Sequence, residues 1–135
     1  MTTGLKPPGD LLLQMDIEGA EYECILSTRV DTLKKFRIIV IELHHLSQIG
    51  HPPFFQLLRA ALDKLLAHFD VIHIHPNNLS EIHDLAGVLT PGVIEMTLLR
   101  KDRGGPRGPA ARLPHHLDAP NLPSRPDISL PENWQ

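Results

Sequence analysis

Two short runs of apolar residues, Leu11 to Met15 and Ile38 to Ile41, constrain this chain more than any other feature. A near-continuous apolar run of four or five residues suits a strand covered on both faces, and strands of that kind are usually parallel. Gly9-Asp10 bounds the first run on its N-terminal side. Between the runs, Tyr22, Ile25 and Leu26 fall at the spacing of a helical stripe, and the pattern fades over 31–37. A strand, a helix and a second strand joined within about 30 residues make a right-handed crossover, so both strands point their carboxyl ends the same way.

A longer helix follows. Pro52-Pro53 opens it, since the first turn of a helix tolerates proline, and Phe54, Leu57, Leu58, Ala61, Leu62, Leu65, Leu66 and Phe69 continue one apolar face. Val71 to His75 reads as a third strand and Val93 to Leu99 as a fourth, the two pairing antiparallel. Between them lies a polar loop with Asn77-Asn78 and Thr90-Pro91-Gly92. The expected fold class is therefore α/β: one sheet of three neighbouring parallel strands and a final antiparallel strand, with flanking helices.

Composition divides the chain into a leader at 1–8, a body at 9–102 and a tail at 103–135. The tail holds seven of the thirteen prolines and shows no helical or strand period, so it should run extended over the surface. Among its last residues Ile128, Leu130 and Trp134 are apolar enough to dock back on the body, but docking is not the main expectation. With 135 residues, 41% of them hydrophobic, the chain can bury one core. A net charge of -3 with no dense basic run argues against nucleic-acid and membrane-surface partners. The single Cys24 cannot form an internal disulfide, and no apolar run approaches the roughly 18 residues of a membrane helix, which points to the cytoplasm. There is no Gly-x-Ser-x-Gly elbow and Cys24 falls inside a helical stripe, so no covalent nucleophile is expected.

In open parallel sheets ligands sit beyond the carboxyl ends of the strands. Three polar clusters occupy those ends: Asp16 and Glu18, then Glu42, His44 and His45, then His75, Asn77 and Asn78. Each has a plainer role as well. Acids ahead of a helix satisfy free backbone N–H groups and its dipole, Gly19 permits a tight turn, and Asn77-Asn78 is an ordinary turn pair. Glu42-x-His44 and His73-x-His75 each set two metal-ligand types on one face of an extended chain. Nine histidines generate such pairs easily and no cysteine pair or His-Glu-x-x-His accompanies them, so no metal is assigned.

LLLQMDIEGAEYECIL followed by IIVIELHHL resembles the central motif of the FkbM-type methyltransferases: an apolar strand, Asp-x-Glu-Gly-x-Glu, a helix, and a second strand ending in an acid and a histidine. HIHPNN is similar to a variant of that family, and the resemblance covers about residues 9 to 100. It implies likeness to other class I S-adenosylmethionine-dependent methyltransferases, with a seven-stranded Rossmann-like sheet, and transfer mostly to oxygen. The first strand here corresponds to the fourth of that sheet and the rest to the fifth, sixth and seventh. The glycine-rich turn and the ribose-holding acid of the cofactor site belong to the other half and have no counterpart in this sequence. The chain thus looks like a fragment, the C-terminal half of a methyltransferase, inactive by itself. Micromolar binding is worth about 8 kcal/mol and each charge-assisted hydrogen bond roughly 1.5 to 3 kcal/mol, so losing that turn and acid pushes cofactor affinity to millimolar or worse.

The resemblance also implies roles. Asp16 would lie nearest the transferred methyl group and the attacking hydroxyl, touching both cofactor and acceptor, and orient or deprotonate the latter. Glu18 would position the acceptor or hold the turn, and His44 is the alternative base. Glu42, His75, Asn77 and Asn78 would bind the acceptor, a small-molecule or glycan hydroxyl. Glu21 completes the motif but equally sits in the first helical turn. A bare, flat, apolar first strand invites self-association. Two rivals remain: a non-catalytic relic or interaction module, and a small metal-binding protein using the histidines.

Overall fold

The computed structural model describes residues 10–105 and 113–130; the leader at 1–8 and Trp134 lie outside the described residues. The elements run β1 (Leu11–Met15), α1 (Glu21–Ser27), α2 (Val30–Leu33), β2 (Phe36–Leu43), α3 (Pro52–Leu66), β3 (Phe69–Pro76), β4 (Ile82–Leu85), β5 (Val88–Pro91) and β6 (Ile94–Arg100). They build a mixed α/β fold whose main sheet is mostly antiparallel, in the order β1-β2-β6-β3. Only β1 and β2 pair in parallel; β6 runs against both β2 and β3.

Two expectations are corrected here. First, β3 is not a neighbour of β2, because β6 lies between them. The apolar pattern of a strand reports its burial and carries no information about which strand lies beside it. The 15 residues of α3 span about 22 Å, ample to skip one strand position at about 4.8 Å spacing. Since β6 opposes both its neighbours, β1, β2 and β3 still point their carboxyl ends to one edge. Second, 82–91 is not a loop but a two-stranded hairpin, β4–β5. Its two-residue turn places Ala86 at φ 56° and Gly87 at φ 87°, and Asp84 Oδ1 accepts a 2.6 Å bond from the Gly87 amide. Alanine is a poor indicator of such a turn, which the Asn-Gly and Asp-Gly pairs normally announce. Phe69 begins β3 instead of closing the α3 stripe.

Helices cover one face of the sheet. Ile39, Ile41 and Leu43 of β2 and Ile94, Met96 and Leu98 of β6 are buried there with Tyr22, Ile25, Leu58, Ala61 and Leu65. The opposite face is a further correction, since the apolar runs predict cover on both. Leu12 pairs with Ile38 and Ile38 with Leu99, so the three share the other face, and Leu12 is 64% exposed. One row nearer the carboxyl ends come Gln14, Val40 and Thr97, then Glu42, Glu95 and His75. That face therefore grades from apolar to polar toward the strand ends. Tail residues 113–130 contain no helix or strand and fasten to β3: Asp118 meets His73 Nε2 at 2.8 Å, Asp127 meets His75 Nε2 at 3.0 Å, and Leu130 is buried. Among the described residues no helix is long and apolar enough to cross a membrane.

Candidate functional site

The chain leaves β1 at Asp16 and reverses over Ile17 to Ala20, where the Ala20 amide donates to the Ile17 carbonyl at 3.3 Å. Both central residues have positive φ, Glu18 at 57° and Gly19 at 105°. Glycine is required at position 19 by its φ, and the exposed His45 ring, whose Nε2 would stand 2.4 Å from an added Cβ, would have to swing aside for any other residue. Glu18 has no such freedom, so the turn carries strain of the kind found at functional sites.

Glu21, at the start of α1, turns back under this loop. Its Oε1 accepts from the amides of Ile17 at 3.1 Å and Gly19 at 3.2 Å and meets His44 Nδ1 at 2.9 Å. The residue is completely buried, and among the described residues its Oε2 has no hydrogen-bond partner. Burial alone would raise the carboxyl's pKa; the backbone hydrogen bonds and the charge of His44 outweigh it and hold the group below its ordinary value. His44 follows β2 directly, and the Tyr22 hydroxyl donates to its carbonyl. These contacts turn His44 Nε2 outward to Glu42 Oε2 at 3.5 Å, Glu18 Oε2 at 3.6 Å and Asp16 Oδ1 at 3.8 Å. Glu42 is fixed through its other oxygen, which accepts from Asn77 Nδ2 at 2.6 Å. Burial, reinforced by Asp16 and partly offset by the Asn77 bond, pushes the Glu42 carboxyl above its usual range.

Asp16, Glu18, Glu42, His44 and Asn77 thus line one cavity of about 570 Å³, with Gln14, Glu95 and the tail's Asn121 on its walls. His75 and Asn78 do not line it. His75 is buried against Asp127, and Asn78 Nδ2 donates to the carbonyls of Leu122 and Arg125 while its Oδ1 accepts from the Leu122 amide. Both residues anchor the tail. In the sequence Glu21 fits both the motif and the first helical turn, and Ile25, four residues on, marks it as lying on the buried face of α1. Asn121 and Glu95 carried no signal, because only folding brings the tail and β6 to this edge.

A family model described as the methyltransferase FkbM domain matches residues 6–85. That segment is more than half of the chain and contains Asp16, Glu18, Glu21, Glu42, His44 and Asn77. The chain belongs to the FkbM methyltransferase family. No curated protein and no solved structure matches it.

FkbM methyltransferases generally use S-adenosylmethionine. The described residues do not fit that cofactor. Two of their glycines stand between a strand of the main sheet and a helix: the space at Gly19 is filled by His45, and Gly50 faces open space. Neither offers a backbone cradle for a nucleotide or an amino-acid carboxylate. The cavity's donors, carboxylates, an imidazole and a carboxamide, suit hydroxyl groups and cations instead.

Proposed function

We propose that this chain carries the acceptor side of an FkbM-type O-methyltransferase, and that the cavity at the carboxyl ends of β1 and β2 holds a small-molecule or glycan hydroxyl. The observation that carries the reading is the meeting of Asp16, Glu18, Glu42, His44 and Asn77, from three sequence-distant segments, at one cavity. The Rossmann-like relation is supported by the common direction of β1, β2 and β3 with β6 reversed. The methyl donor lies outside these residues, which alone would hold S-adenosylmethionine at millimolar affinity or weaker.

In this reading Asp16 orients the hydroxyl and takes its proton, Glu18 steadies the acceptor, and Asn77 and Glu42 hydrogen-bond its neighbouring oxygens. His44, held through Nδ1 by Glu21, presents Nε2 as the alternative base. A cytoplasmic setting is in keeping with the lone Cys24. Grafting residues 10–105 in place of the matching segment of an active FkbM methyltransferase tests the assignment. The hybrid is expected to methylate a hydroxyl oxygen, and Asp16→Asn within it to slow transfer about 10²- to 10³-fold. A folded hybrid that binds S-adenosylmethionine yet methylates no alcohol in a broad panel would sink it.

The cofactor-binding half of such an enzyme would pair along β1, whose outer edge has no strand beside it among the described residues. The half-exposed Leu11 and the more exposed Leu12 make that edge apolar. By itself the chain should pair there with a second copy. Sedimentation velocity is expected to show a dimer for the native chain and a monomer for Leu12→Lys; a monomer in both would count against this pairing.

A further inference from the structure

Three carboxylates converge on His44 Nε2, at 3.5, 3.6 and 3.8 Å from Glu42, Glu18 and Asp16. None of these distances is an ordinary hydrogen-bond length. Among the described residues no lysine or arginine pairs with the three acids. The imidazole is nine-tenths buried, and its Nδ1 is committed to Glu21, so a neutral ring carries its proton on Nδ1 and turns the Nε2 lone pair toward the carboxylates. Glu42 is committed in the same manner: Asn77 holds Oε1, which leaves Oε2 facing Nε2. Three carboxylates gathered around one imidazole nitrogen repel one another as bare side chains and, with that nitrogen, make up the donor set of a cation.

We infer that Asp16, Glu42 and His44 form a binding site for a divalent metal ion. One ligand atom from each lies within 4.8 Å of the other two. Two ligands held about 2.1 Å from one ion stand about 3.4 Å apart at a tetrahedral angle. The separations of 3.5 and 3.8 Å from Nε2 to Glu42 and Asp16 need only small closure to meet that geometry. One imidazole with two carboxylates suits Mn²⁺, Fe²⁺ or Zn²⁺; an all-oxygen set would favour Mg²⁺ or Ca²⁺. Glu21 behind His44 and Asn77 behind Glu42 are the outer partners that orient metal ligands and fix the imidazole tautomer. Three protein ligands leave coordination positions open toward the cavity, where a hydroxyl-bearing molecule can complete the shell. That last role rests on the methyltransferase reading; the binding of metal does not.

Equilibrium dialysis of the full, EDTA-stripped chain against Mn²⁺ or Zn²⁺ alone, with Mn²⁺ also followed by electron paramagnetic resonance, decides the matter. One saturable site with a Kd near or below about 100 µM is expected. Glu42→Gln and His44→Ala should weaken it at least tenfold, Glu21→Gln about tenfold, and the paired change His115→Ala with His116→Ala should leave it unaltered. Circular dichroism verifies each fold, and if His44→Ala does not fold, Glu42→Gln decides, since it removes a buried charge and keeps an acceptor for Asn77. No saturable binding up to about 1 mM, or binding untouched by the ligand substitutions, overturns the site. Metal binding alongside a hybrid without methyl transfer leaves this site standing and removes the proposed function; EDTA-insensitive transfer by a chain that binds no metal does the reverse.

Discussion

Replacing Glu21 with leucine is expected to destabilise the chain by about 3 to 5 kcal/mol and to release the His44 ring. Three donors depend on Oε1 of this completely buried side chain: the amides of Ile17 and Gly19 and Nδ1 of His44. Leucine fills similar space but accepts nothing, so all three donors lose their partner inside the fold. Native domains are stable by only about 5 to 15 kcal/mol, so the loss consumes a large share of the total. Glu21→Gln keeps one carbonyl oxygen for the same donors and should cost about 1 kcal/mol. Urea unfolding supplies the energies, and the nitrogen-coupled ring resonances of His44 report its release. A leucine variant within 1 kcal/mol of the native chain would show that the carboxylate does not hold this turn.

Leu98→Ala is expected to cost about 2 to 5 kcal/mol. Leu98 is fully buried on β6, with Ile39 of β2 on one side and Val71 of β3 on the other. Truncating it opens a cavity in the middle of the sheet, where main-chain pairing on both sides resists collapse. The effect bears on the site because β6 holds β2, which carries Glu42 and His44, at a fixed offset from β3 and the Asn77 loop that follows it. Leu117→Ala, at a highly exposed position of the tail, is the comparison and should change stability by about 0.5 kcal/mol at most. Denaturant midpoints at constant slope measure both; equal losses would contradict the central place of β6.

The strands β1, β2, β3 and β6 and the helices α1 and α3 were all legible in the sequence, because apolar runs and a 3.6-residue stripe report local burial directly. The β4–β5 hairpin was not, since Ala86 and Gly87 form its turn without the usual residue pair. Of the candidate site, Asp16, Glu18, Glu42, His44 and Asn77 were readable from their places at strand ends, and the cavity holds all five. His75 and Asn78 looked equivalent by position, yet the tail's Asp127 and its carbonyl groups take them. A pattern confined to neighbouring residues cannot register a partner about 50 positions away.

By itself the sequence determined the four strands of the main sheet and the helices α1 and α3, that three of those strands end in polar clusters, and that Asp-x-Glu-Gly-x-Glu marks a member of the FkbM methyltransferase family. Tertiary structure alone decided that β6 separates β2 from β3, that helices cover only one sheet face while the tail fastens to β3 on the other, and that Glu21 lies buried behind His44. The division has one physical cause. Backbone preference and hydrophobic period act over a few residues, whereas strand order, face coverage and the convergence of side chains depend on contacts between distant segments, which form only when the whole core closes.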